Sequence, residues 1–446
     1  MTTIENMIAV CGPVDAGKSS LIGVLTTGEF DDGNGLARNK VLVHPHEIHS
    51  GRTSHITINP LVYTNKNNTI YIKPIPNCNK KKQLKEKKLY ETKDSKIKSK
   101  LISFIDLAGH RKYLKTTVFG VTGMFPDYGI VVIGANKGIT RLTKEHMNIL
   151  LYLNVNIIII ITKVDMAPKN VYSRLKNRIK KLIEKYYGTK TTFFINNNKM
   201  RDINTDRYID NYNGIKDIIP VISISNKEGT NIDNLHKILF NLPSQKKWKK
   251  DIIDSSIVYL DTNYNVPGIG LVVSGTIKGK TIKAKQKMFI GPFNGIFKEV
   301  TIRSIHNSIR ENVNEIKNNT QGCFAIKFNN TKEAVSRNKL KKGLVMIDSL
   351  DKWKNNITKK FIAKINILHH ATTIKDGYCP IIHCGPIRQS ASIKIIDENK
   401  EKHLRTGDTC LVEFTFIQHP EFIEKNMVLF FRDGSTKGVG EVISIL

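Results

Sequence analysis

The chain has 446 residues, 40% of them hydrophobic and 24% charged, and its 70 Lys and Arg against 39 Asp and Glu leave a net charge of +31. That length exceeds one ordinary core and points to roughly two to four domains, while the composition excludes a disordered chain. No apolar run reaches the about 18 residues of a membrane helix, and Met1-Thr2-Thr3-Ile4-Glu5 does not open a signal segment.

The six cysteines lack paired spacing, Cys379 and Cys384 being the nearest two. A soluble, reducing compartment, the cytoplasm, is therefore expected, without a disulfide framework, structural zinc or membrane contact. The positive field suits a polyanion such as RNA. Lys, Asn and Ile are abundant together, as an AT-rich coding sequence would make them, so part of the charge belongs to solvated faces.

In chain order, residues 7–10 form a short apolar run that leads into Gly12-Pro13-Val14-Asp15-Ala16-Gly17-Lys18-Ser19. This is the phosphate-cradling pattern G-x-x-x-x-G-K-S/T. Backbone N–H groups of Gly12, Asp15, Ala16 and Gly17 curl around phosphate oxygens, and Lys18 reaches the β and γ phosphates. Ser19 holds Mg²⁺, and the helix expected from Ser20 adds its positive end. His44-Pro45-His46-Glu47-Ile48-His49 contains metal-ligand residue types, but falls where a mobile loop should be, so no metal is expected there. Thr53, in Ser50-Gly51-Arg52-Thr53, is the second hydroxyl candidate for Mg²⁺. Residues 79–100 are dense in lysine and read as a solvated insertion between two strands, with an RNA-binding segment as the alternative.

The run 101–105 ends in Asp106-Leu107-Ala108-Gly109-His110. Asp106 can hold Mg²⁺ through water, Gly109 can give its N–H to the γ-phosphate, and His110 can orient or polarise the attacking water. A further apolar run, 130–133, precedes helical spacing over 144–153. The run 157–161 leads into Thr162-Lys163-Val164-Asp165, where Asp165 can accept from guanine N1–H and its amine while the Lys163 stem lies along the base. After helical spacing over 171–187, residues 221–224 lead into Ser225-Asn226-Lys227, which can contact the guanine oxygen. Strands alternating with helices imply a parallel sheet with its sites at the carboxyl ends of the strands.

Residues 243–250 read as a linker, and beyond it come short alternating strands broken by turns. Barrels or sandwiches follow from that spacing, and a break near 351–360 divides them. The expected domains are 1–245, an α/β P-loop domain, then 251–352 and 357–446, both all-β.

With these residues in place, the chain resembles the translational GTPases of the elongation factor Tu and elongation factor 1-alpha class, and most resembles the GTP-binding protein 1 subfamily. The P-loop, Ser50-Gly51-Arg52-Thr53, Asp106-Leu107-Ala108-Gly109-His110, Val266-Pro267-Gly268-Ile269-Gly270, Leu404-Arg405-Thr406-Gly407-Asp408 and the string from Arg432 to Gly438 carry the likeness. The resemblance implies a GTP-hydrolysing G domain with two β-barrels, GTP/GDP and Mg²⁺ as ligands, and action at the ribosome with tRNA or other RNA; the oligomeric state stays open, a monomer being expected. It also implies His110 as catalytic histidine, Thr53 as switch ligand of Mg²⁺, Asp15 as ligand of a monovalent cation, and activation by ribosomal RNA rather than an arginine finger.

Four departures stand out. Thr162 replaces an Asn whose amide would brace the P-loop and base, implying looser nucleotide binding. Arg52 stands where elongation factors carry an apolar residue, and Ala16 replaces a histidine. With the P-loop opening at Gly12, the long N-terminal extension of animal members is not expected here. Two other readings stay open: an RNA or tRNA carrier with slow GTPase activity, and a non-ribosomal regulatory GTPase whose barrels bind protein.

Overall fold

Apolar β-branched runs become the centre of one eight-stranded sheet. Its strands are Ile4–Cys11 (β1), Thr57–Thr64 (β2), Asn68–Ile70 (β3), Lys100–Asp106 (β4), Tyr128–Gly134 (β5), Asn156–Thr162 (β6), Thr191–Ile195 (β7) and Ile218–Ser223 (β8), in the order β3-β2-β4-β1-β5-β6-β8-β7. The computed structural model describes residues 4–64, 68–70, 100–188, 190–195, 217–245, 254–330, 332, 334–341, 343–397, 403–434 and 436–446. Strands β4 and β5 are buried along their whole length, because helices cover both faces of a doubly wound sheet.

The core of the sheet is parallel, but β2 runs antiparallel to β4, and β3 antiparallel to β2. This corrects the expectation of a parallel sheet. Antiparallel neighbours need no helical crossover, so an edge ribbon escapes the strand–helix alternation that the central strands obey. Of the expected lysine-rich insertion, residues 79–99 lie outside the described residues. Lys100 does not belong to a solvated segment: it opens β4, is 6% exposed, and its Nζ donates to Phe240 O and Leu242 O. Burial pushes its pKa down to about 7.

Register aligns the carboxyl ends. Val10 pairs with Asp106, Gly134 with Thr162, and Ile161 with Ser223. The loops after β1, β4, β5, β6 and β8 therefore emerge along one edge, which is why motifs far apart in sequence meet. No described helix is long and apolar enough to cross a membrane.

The chain divides into two compact units, Met1–Gly120 with Pro126–Gln245, and Val121–Phe125 with Lys246–Leu446. The second unit holds two closed six-stranded antiparallel barrels. In the first, Ser256–Val266, Gly270–Gly279, Gln321–Phe328, Ile296–Asn307, Lys287–Phe293 and Val345–Ile347 pair in a ring. In the second the ring is Lys360–His369, Thr409–Phe416, Ile387–Ile395, Ile381–Cys384, Val428–Asp433 and Thr436–Ile445. Alternation decides which face turns inward: Phe361, Ala363, Ile365 and Ile367 are buried, while Lys364 between them is exposed. Between the barrels, Lys278 and Glu424 form a 2.8 Å ion pair. The segment near 351–360, where the sequence reading divides the two modules, opens with the helical turn Leu350–Trp353, continues as the 3₁₀ turn Lys354–Asn356 and ends in the short strand Ile357–Thr358.

Candidate functional site

The loop after β1 is shaped by residues that accept left-handed backbone. Asp15 has φ 60° and Gly17 has φ 85°, and Gly17 caps the helix Lys18–Thr27, which starts two residues before the expected Ser20. A Cβ at Gly12 would stand 2.5 Å from Val132 O, so only glycine lets β5 approach. Lys18 is 6% exposed and donates from Nζ to Pro13 O at 2.9 Å. Burial lowers its pKa, against the opposing pull of Asp106.

Three oxygen groups meet beside it. Ser19 Oγ donates to Asp106 Oδ2 at 2.8 Å, Thr53 Oγ1 donates to the same oxygen at 3.1 Å, and the two hydroxyls are 2.9 Å apart. Asp106 is 1% exposed and its other oxygen, Oδ1, has no partner. Burial raises its pKa while Lys18, Ser19 and Thr53 pull it down. Two hydroxyls and one carboxylate, whose Oδ1 is the orphaned oxygen, form a hard-oxygen set that fits Mg²⁺. Gly109 passes so close that a Cβ there would lie 2.3 Å from Lys18 Nζ and 2.8 Å from Gly12 O. His110 is exposed, and its Nδ1 accepts the Lys112 N–H at 3.1 Å.

A cavity of about 780 Å³ opens over this group, lined by Lys18, Ser19, Thr53, Gly109 and His110 on one side and by Lys163, Asp165, Asn226 and Lys227 on the other. Asp15, Gly17 and Ser20 also line it. The sequence groups Thr162 with the base, whereas the structure turns it the other way. It is fully buried behind the wall, and its hydroxyl donates to Ala16 O at 2.6 Å, so a hydroxyl braces the P-loop where loss of bracing was expected. Ser225 is also fully buried and accepts the Glu228 N–H, closing its own turn rather than lining the cavity. Asn226 Oδ1 is buried without a partner beside the cavity.

Some site residues escape motif reading. His146, on the helix Arg141–Tyr152, is 1% exposed and its Nδ1 accepts the Gly12 N–H at 3.1 Å. Lys137, after β5, places its Nζ 3.0 Å from Asp15 Oδ2 and lowers the Asp15 pKa. An ammonium thus sits where the family resemblance implies a monovalent cation. Asp32 Oδ1 accepts N–H groups of Asn34, Gly35 and Leu36, building a further wall of the cavity. The only sequence signal for His146 is its place on the apolar stripe of a helix; nothing local marks Lys137 or Asp32.

Residues 4–244 match the family described as elongation factor Tu GTP binding domain. The chain is 37% identical to GTP-binding protein 1 of Xenopus laevis over 99% of its own length and 64% of that protein's. It is 32% identical to GTP-binding protein 2 of Mus musculus, over 99% of the chain and 69% of the relative. Thus the chain spans about two thirds of the length of these relatives. Among solved structures, bacterial selenocysteine-specific elongation factor EF-Sec aligns with TM-score 0.67 at 17% identity, over 98% of this chain and 58% of that one. Translation elongation factor SelB from Methanococcus maripaludis, in complex with the GTP analogue GppNHp, aligns with TM-score 0.63 at 18% identity, covering 100% and 80%.

Proposed function

Since this chain belongs to the translational GTPases of the elongation factor Tu class, we propose that it binds GTP with Mg²⁺, hydrolyses it to GDP, and uses the change as a conformational switch on the ribosome, with tRNA or another RNA. The observation that carries this reading is the meeting of Ser19 and Thr53 hydroxyls on Asp106, under Lys18 and within the cavity that Asp165 also lines.

The P-loop amides and Lys18 bind the phosphates, while the Asp165 carboxylate receives the guanine edge beside the Lys163 stem. Ser19 and Thr53 would hold Mg²⁺, with Asp106 through water; the ion supplies charge neutralisation at the β and γ phosphate oxygens. Gly109 gives its N–H to the γ-phosphate. His110 orients a water in line with the γ-phosphorus, and the new P–O bond forms as the bridge to the β-phosphate breaks. Loss of the γ-phosphate frees Thr53 and Gly109, so their segments relax. Lys137, at 3.0 Å from Asp15, would compete with any monovalent cation there.

The test is GTP turnover with and without ribosomes, for the protein and His110→Ala. The variant should hydrolyse about 10²–10⁴-fold more slowly while binding GTP equally well. Unchanged turnover would remove His110 from catalysis. Turnover that ribosomes fail to stimulate would favour the slow RNA carrier, a reading that Arg52, exposed beside Thr53 at the cavity, keeps open. Absence of ribosome co-sedimentation at low salt would favour a non-ribosomal regulator.

A further inference from the structure

The segment before Thr53 is not the loose loop its sequence suggests. Residues Pro45–Ser50 form a short helix, and the chain then doubles back so that Ser54 and His55 lie over it. Glu47 is 0% exposed. Its Oε1 accepts Ser54 N–H at 2.7 Å, Ser54 Oγ–H at 2.8 Å and His55 N–H at 3.0 Å. Its Oε2 is buried and has no partner.

Around that carboxylate the imidazoles gather. His46 Nε2 and His55 Nδ1 stand 2.9 Å and 2.8 Å from Ser54 Oγ. One ligand atom from each of His46, Glu47 and His55 lies within 4.8 Å of the other two. The His44 ring packs against both histidines, with centroids 5.5 Å from His46 and 4.6 Å from His55. His49, the third histidine of the motif, takes no part, while His55, outside the motif, does.

We propose that His46, Glu47 and His55 form a binding site for a divalent transition metal ion, zinc being the best match. Two imidazole nitrogens and a carboxylate oxygen select zinc-like ions over Mg²⁺ or Ca²⁺, which prefer oxygen shells. Three protein ligands leave a fourth position for water. The Ser54 hydroxyl holds the ligands together without metal. It gives its proton to Glu47 Oε1 and accepts from the two imidazoles, and it would move aside as they close to the about 2.0–2.1 Å of a Zn–N bond. The ligands flank Thr53 on both sides, so a bound ion would tie down the segment that carries this hydroxyl. That consequence rests on the switch reading; the site itself does not.

The experiment uses the untagged full chain, stripped with chelator, without nucleotide and in excess Mg²⁺ so that Ser19, Thr53 and Asp106 do not compete. Zn²⁺ is titrated by calorimetry and Co²⁺ by visible absorption. One equivalent should bind. His46→Ala and His55→Ala should each weaken binding by at least about 100-fold, and His49→Ala should not. Folding of the variants is checked by their circular dichroism. X-ray absorption of the zinc-loaded wild-type chain should show nitrogen and oxygen neighbours. No saturable binding, equal binding by His55→Ala, or a thiolate-containing shell would overturn the proposal. Because no nucleotide is present, that failure would leave the GTPase reading untouched.

Discussion

Acid should loosen the first unit through His146. This side chain is 1% exposed, and its Nδ1 accepts the Gly12 N–H that opens the P-loop. Burial first, and Lys18 second, push its pKa from 6.5 down to about 3. The folded chain keeps the ring neutral where the unfolded chain protonates it. Between pH 6.5 and about 3 the unfolded state therefore binds the extra proton, and stability present above pH 6.5 drains away as pH falls. The slope is about 1.4 kcal/mol per pH unit, so about 2 kcal/mol is lost on going from pH 6.5 to pH 5. His146→Gln retains a neutral acceptor for Gly12 and removes the titration. His236, which burial pushes down to about 4, acts with the same sign in both proteins and cancels in the comparison. Urea unfolding followed by helical circular dichroism reports mainly the first unit, because the α-helix described wholly within the second is the single turn Leu350–Trp353. The wild type should lose about 2 kcal/mol more than His146→Gln over that pH interval. Equal losses would refute the assignment of His146 as a buried neutral acceptor.

Other perturbations probe the base site, the brace and the barrels. Asp165→Asn should shift preference from guanine toward xanthine nucleotides in competition binding, and retained guanine selectivity would remove Asp165 from the base site. Thr162→Val deprives Ala16 O of its 2.6 Å donor and should destabilise the first unit by about 1–3 kcal/mol in urea unfolding; an unchanged midpoint would show the bond to be idle. In the second unit, burial pushes Glu421 up to about 8, despite the hydrogen bond from Gln389. The folded chain binds the extra proton there, so stability present below pH 4.5 is lost as pH rises through about 8. Glu421→Gln should flatten that fall, about 1.4 kcal/mol per pH unit, in barrel unfolding measured at pH 6 and pH 7; parallel pH dependence in the two proteins would disprove it.

The sequence alone determined the order and residue types of the motifs. Gly12 to Ser19, Asp106 to His110 and Thr162 to Asp165 are local strings at strand ends, where backbone conformation and residue type are both encoded within a few neighbours. Inward and outward faces of the barrel strands were also legible, because a period of two survives whatever the strand pairs with. Tertiary structure alone decided which way Thr162 points, that Lys100 is buried, that His146 reaches Gly12 and Lys137 reaches Asp15, and that His55 rather than His49 joins Glu47. Most of these are contacts between residues far apart in the chain, made by register and crossover. Periodicity records that a side chain is buried, but the identity of what it is buried against exists only once strands have paired and helices have packed.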